Sequence, residues 1–173
     1  MKHPQPHQLY EYHVWANNRL FAHLKQLPEE VFHAELTSVF PSVSQTFGHM
    51  YLFEKLYLAV LEQVPNEDIF PLIPAWTEEA QGKNVDEMRQ LFANIAEQFR
   101  AMLRRTSDPY KGMTIEHPRY GRLDTHFSEI LQHVVNHGTY HRGNITAMLR
   151  QQGYAGVSTD YLFFLQELSN LRN

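Results

Sequence analysis

The chain has 173 residues and a mass of 20.4 kDa, with a formal charge of -4 and a pI near 6.2. That length suits one domain with a sizeable core, and the reading takes residues 1–173 as one. Hydrophobic residues at 43% exclude disorder, while the acidic balance leaves no clustered basic footprint for a nucleic acid.

The amino terminus, Met1-Lys2-His3-Pro4-Gln5-Pro6, lacks the apolar stretch of a secretory signal, and no apolar run approaches membrane-spanning length. A cytoplasmic protein with neither membrane nor nucleic-acid partner is expected. The absence of Cys removes disulfides and leaves His, Asp, Glu and water as metal donors.

In chain order, the apolar periodicity predicts a first helix from about His7 to Gln26, with Leu9, Ala16, Leu20 and Leu24 on one stripe and Pro28 closing it. A second helix opens at Ser42, where Ser42-Val43-Ser44-Gln45 has capping-box spacing, and runs to about Gln63 before Pro65. From Pro65 to Gly82, Pro71 and Pro74 interrupt any sustained period, so a long surface connection is expected. A third helix starts near Asn84, with Glu87 three residues on, and ends near Arg105.

Pro109, Gly112, Pro118 and Gly121 place a loop or small hairpin over 108–122. A fourth helix spans about Thr125 to Gln152, with Gly153 as its C′ residue, and a short final helix from Asp160 to about Leu168 presents Leu162, Phe163 and Leu165 for packing. The fold class is therefore all-α: a mostly antiparallel four-helix bundle with a long connection between helices two and three and a short C-terminal helix.

Eleven His in so short a chain invite a search for a converging set. His133, His137 and His141 stand at i, i+4 and i+8, but a helix turning 100° per residue separates them. Taking His141 as zero, Ile130, Val134, Ile145 and Met148 lie within roughly 40° and so does His137, whereas His133 lies about 80° aside. His137 and His141 occupy core positions from which both rings reach one ion; His133 belongs at the edge, in a supporting role. The alternative for a core imidazole is a simple hydrogen-bond partner, and two on one face weaken that alternative.

On the second helix, Phe53, Leu56 and Val60 fall within about 40° of His49, which places His49 on an apolar stripe as the third ligand. His13 lies on the stripe of helix one and is the weaker candidate, better suited to a packing role. His3, His7, His23, His33, His117 and His126 read as ordinary surface residues.

These residues resemble the DinB/YfiT-like family of small metal-binding helical-bundle proteins. The resemblance is carried by Tyr12-His13-Val14-Trp15-Ala16-Asn17, by His49 with Glu54 following, by Gln132 through Ile145, and by Thr159-Asp160-Tyr161-Leu162-Phe163-Phe164-Leu165. It departs from the usual pattern at Tyr140, where a further His is common, and at Asn144, where Gln is. The resemblance implies a metal held by one His of the second helix and two of the fourth, here His49, His137 and His141. It further implies that some relatives are thiol-dependent S-transferases or isomerases using a low-molecular-weight thiol cofactor, and that relatives are commonly homodimers.

Three neutral donors leave a coordination position open, the composition of a catalytic site. The expected function is a metal-dependent enzyme, transferase or hydrolase, that activates a thiol or water against a small electrophilic substrate. Glu54, His13 and Tyr12 are conceivable neighbours of the ion. A non-catalytic metal- or ligand-binding protein of stress response, or an ion that only braces the bundle, are the other readings. Three imidazoles suit Zn, Ni, Fe, Co or Cu and do not choose among them.

Overall fold

The structure is a computed structural model that describes residues 6–117 and 119–171, without the side chain of His117. His3 and Pro118 lie outside the described residues. The chain is mostly helical with one two-stranded sheet. Four long helices carry it: α1 (Pro6–Leu24), α3 (Val43–Leu61), α6 (Val85–Arg105) and α7 (Phe127–Gln151). Shorter ones are α2 (Glu30–His33), α4 (Asn66–Ile69), a 3-10 turn (Phe70–Leu72), α5 (Ile73–Ala80) and α8 (Tyr161–Asn170).

The long helices start and stop for local reasons. Ser42 Oγ accepts from the Gln45 backbone N–H at 3.1 Å to cap α3. Asn84 and Glu87 form a reciprocal capping box on α6, each bond 3.0 Å long. At the other end of α3, Gln63 takes φ 59°, and the Val64 N–H reaches back to the Ala59 carbonyl at 3.0 Å. Gly153, at φ 85°, ends α7 in the same way, with Tyr154 N–H donating to the Leu149 carbonyl at 2.9 Å.

α1 and α3 each pack against both α6 and α7, so the four long helices touch in a ring around one apolar core. Tyr10, Leu20 and Phe21 of α1, Phe47 and Met50 of α3, Met88 and Phe99 of α6, and Leu131, Ile145 and Met148 of α7 fill it. Phe21 stacks on Phe47 with ring centroids 4.4 Å apart, and both meet Phe92 edge-on.

Two expectations are corrected, for 65–82 and for the packing face of the last helix, and the hairpin is found but longer. The stretch 65–82 is largely helical: Pro71 and Pro74 fall in the first turns of the 3-10 turn and of α5, where a missing N–H costs nothing, so they start helices instead of breaking them. Tyr51 of α3 ties α5 down by donating to Glu79 at 2.8 Å.

The region 108–122 is a hairpin that extends further, β1 (Gly112–His117) pairing antiparallel with β2 (Gly121–His126), and β2 runs straight into α7. The fold is therefore mostly helical and not purely α. α8 packs through Tyr161, Phe164, Leu165 and Leu168, its i, i+3, i+4, i+7 face, while Leu162 and Phe163 remain exposed. Among the described residues, no helix is long and apolar enough to cross a membrane.

The capping box carries the first prediction. Asn84→Ala removes the side-chain acceptor at the start of α6 and is expected to lower stability by about 1 kcal/mol in urea denaturation, with the slope unchanged.

Candidate metal centre

His49, His137 and His141 each offer one ring nitrogen, and these atoms all lie within 4.8 Å of one another. His49 Nε2 is 3.2 Å from His137 Nε2, and His141 Nε2 is 3.1 Å from the same atom. A single proton on His137 Nε2 satisfies at most one of these contacts. Two imidazoles sharing a tetrahedral ion at ordinary Zn–N lengths place their nitrogens about 3.3 Å apart, close to what is seen. The donor set thus fits a divalent ion, and all three groups are imidazoles with no carboxylate among them.

Burial keeps the rings neutral. The His137 imidazole is pushed down to about 3, first by desolvation and then by the neighbouring His141 and His49. His141 is pushed down to about 4 by desolvation and by His49, and burial also lowers His49. Each therefore presents a lone pair at neutral pH. His141 Nδ1 is buried with no hydrogen-bond partner among the described residues.

Aromatic rings hold the imidazoles in place. Phe53 stacks on His137 at 4.6 Å and 20° and lies 4.4 Å from His49, measured between centroids. On another side Phe40 packs 4.6 Å from His49 and 5.5 Å from His141, and Tyr140 lies 5.0 Å from His141. A cavity of about 710 Å³ opens on His49, with Phe40, Ser44, Gln45, Leu52 and Thr77 in its wall. Behind Phe53 and Tyr57 lies an apolar cleft of about 460 Å³, lined by Leu56, Val60, Ile69 and Ile115 among others.

His49 is reached for a different reason from the one its periodicity suggests. The core stripe of α3 is Phe47, Met50, Glu54, Leu58 and Leu61, whereas His49 is half-buried and Phe53, Leu56 and Val60 beside it line the cleft. α3 is apolar nearly all round, so its wheel has no single inward direction. On α7 the reading fares better: His141 is buried, His137 half-buried, and His133 exposed. His133 packs edge-on against Tyr57 at 4.8 Å and sits 6.1 Å from His137, centroid to centroid.

His13 is not at the metal point but beside it, buried in a polar cluster. Its Nε2 lies 2.8 Å from Glu54 Oε1, and Tyr10 Oη donates to Glu54 Oε2 at 3.3 Å. Arg142 Nη1 lies 3.2 Å from His13 Nδ1 and donates to Asn17 Oδ1 at 3.0 Å, while Nη2 donates to Thr139 Oγ1 at 2.8 Å. The sequence offers His13 as a weaker ligand candidate with a packing role, and His13 and Glu54 as neighbours of an ion, but does not single out Asn17 or Arg142; for Arg142 the available signal is a charged residue on an apolar stripe. Tyr12 instead donates to the Thr159 carbonyl at 3.0 Å and sits under the Arg142 guanidinium. Among the described side chains the other His are peripheral: His7, His23, His33 and His126 are exposed or half-exposed.

A mostly helical chain with three converging neutral imidazoles defines a class of helical proteins with an open, all-histidine candidate metal site. The sequence profile of the DinB family matches residues 1–169. The chain is also 44% identical to Protein DinB of Bacillus subtilis (strain 168) over 158 residues, covering 91% of this chain and 92% of that protein. It belongs to the DinB family.

The low values of His137 and His141 set a pH dependence for the metal-free protein. Below the ordinary value of 6.5 the unfolded chain takes up protons that the folded chain refuses until about 3 to 4, so stability falls as pH drops through that window. Urea midpoints measured from pH 7 down to 4.5 should decline, and less steeply in His137→Gln. A slope identical in the variant contradicts the assignment.

Proposed function

We propose that this protein is a metal-dependent enzyme in which His49, His137 and His141 hold one divalent ion and leave room for a thiol or water to attack a small electrophilic substrate. The convergence of three imidazole nitrogens from two helices carries this reading. When bound, such an ion supplies Lewis acidity, giving a nucleophile at neutral pH from a thiol or water; the chain itself has no Cys to provide one.

The protein's own residues bind, orient and exclude. Phe40 and Phe53 clamp the imidazoles in the orientation that aims their nitrogens at one point and close two sides to water. The cavity at His49 leaves a side open, and its hydroxyl and amide groups, Ser44, Thr77 and Gln45, offer hydrogen bonds to a polar substrate head. The long helices are read as an antiparallel four-helix bundle supporting this centre, with a low-molecular-weight thiol as the co-substrate class and a homodimer as the assembly. Sedimentation that returns only a 20 kDa species counts against the dimer.

Elemental analysis of protein purified without a nickel column should find a divalent metal at about one equivalent per chain, lost in His137→Ala. A panel of thiols and electrophiles should then show turnover in wild type and none in the variant. Equal rates in the two sink catalysis at this centre. Removing the metal with a chelator should leave the fold intact; a drop of tens of degrees in melting temperature would instead assign the ion a bracing role.

A further inference from the structure

We infer that the buried cluster of His13, Glu54 and Arg142 is a positioning device that fixes the register of α3 against α7, and so the spacing of the metal ligands. The inference rests on the metal-binding reading and goes beyond it to residues that touch no ligand nitrogen.

The cluster is interleaved with the ligands along both helices that carry them. Gly138 follows His137, Arg142 follows His141, and Glu54 follows Phe53, whose ring stacks on His137. A small void is lined jointly by His13, Glu54, His137 and Gly138, so the two sets of residues are neighbours in space as well. α1 supplies the bridge: His13 reaches Glu54 of α3 through Nε2 and Arg142 of α7 through Nδ1.

A guanidinium has only donors, so His13 Nδ1 accepts from Arg142, while His13 Nε2 lies between Glu54 Oε1 at 2.8 Å and Asn17 Nδ2 at 3.0 Å. The chain of contacts runs from Tyr10 Oη to Glu54, to His13, to Arg142 and on to Thr139, with Asn17 bridging His13 and Arg142.

Such a cluster resists sliding where an apolar core does not. Glu54 is 4% exposed, Arg142 1% and His13 1%, and stranding either charge in that environment carries a heavy desolvation cost. Leucine-like contacts can repack after a small shift, but directional bonds to a buried charge pair are lost. Gly138 completes the fit: a Cβ there falls 2.2 Å from His13 Cε1 and 2.9 Å from Arg142 Nη1, so only glycine lets the imidazole lie against the α7 backbone between the two ligand positions.

Metal binding reads ligand spacing directly, because bond lengths tolerate only a few tenths of an ångström. The test is Glu54→Gln, which keeps the shape and removes the charge, in full-length protein with cobalt(II) as probe. Cobalt affinity by chelator competition should fall by about tenfold, and the visible cobalt bands should shift, with the far-ultraviolet helical signal retained.

Asn17→Ala, which removes a smaller contact to Arg142 and His13, should move affinity and bands the same way to a lesser degree and stands in if Glu54→Gln does not fold. Unchanged affinity and bands in folded variants, with only the thermal midpoint lowered, overturn the inference and leave the cluster a packing element. Wild-type protein that takes up no cobalt defeats the metal-binding reading on which it rests.

Discussion

The 3.2 Å approach of His49 Nε2 on α3 to His137 Nε2 on α7 is the constraint on which the rest of the candidate centre depends. His137 and His141 are held together by one helix, since an i, i+4 pair shares a face whatever surrounds it. Nothing local does this for His49, which lies 88 residues away in sequence from His137. Its position relative to α7 is set by everything that packs α3 on α7, and an error of an ångström that an apolar core would absorb would separate the donors. The polar cluster below the ligands and the Phe40 and Phe53 rings beside them both address that one distance, the first by fixing helix register and the second by fixing ring orientation.

How much of this was legible follows from where each signal is stored. The convergence of the three imidazoles is legible because α7 alternates apolar and polar residues cleanly enough for a wheel to find His137 and His141. His49 is reached too, but its stripe lines a cleft, since α3 presents apolar residues in almost every direction and periodicity then loses its meaning. The ends of α3, α6 and α7 are written locally in Ser42, Asn84 with Glu87, and Gly153, and they are found within a residue or two. The helical character of 65–82 is hidden because Pro71 and Pro74 look alike as breakers and as first-turn residues until the hydrogen-bond register is known.

Long-range pairing is what the sequence stores least openly. Glu54 lies between Met50 and Leu58 on the inward stripe of α3, and Arg142 lies four residues from Gly138 and three from Ile145 on that of α7. Each alone reads as an anomaly. Only the fold shows that they share His13, a partner 41 residues from one and 129 from the other.

The division of charge between the two sets of residues bears on the chemistry proposed for the centre. Glu54 is committed to His13 and Tyr10, so its negative charge compensates Arg142 within the cluster and not an ion beside it. The three candidate ligand imidazoles, held neutral by burial, bring no charge of their own. A divalent ion held by His49, His137 and His141 would keep its charge toward whatever enters from the cavity at His49, and a charge left uncompensated by protein would favour an anionic entrant over a neutral one. Hydroxide and thiolate are such entrants, and they are the nucleophiles the proposed reaction requires.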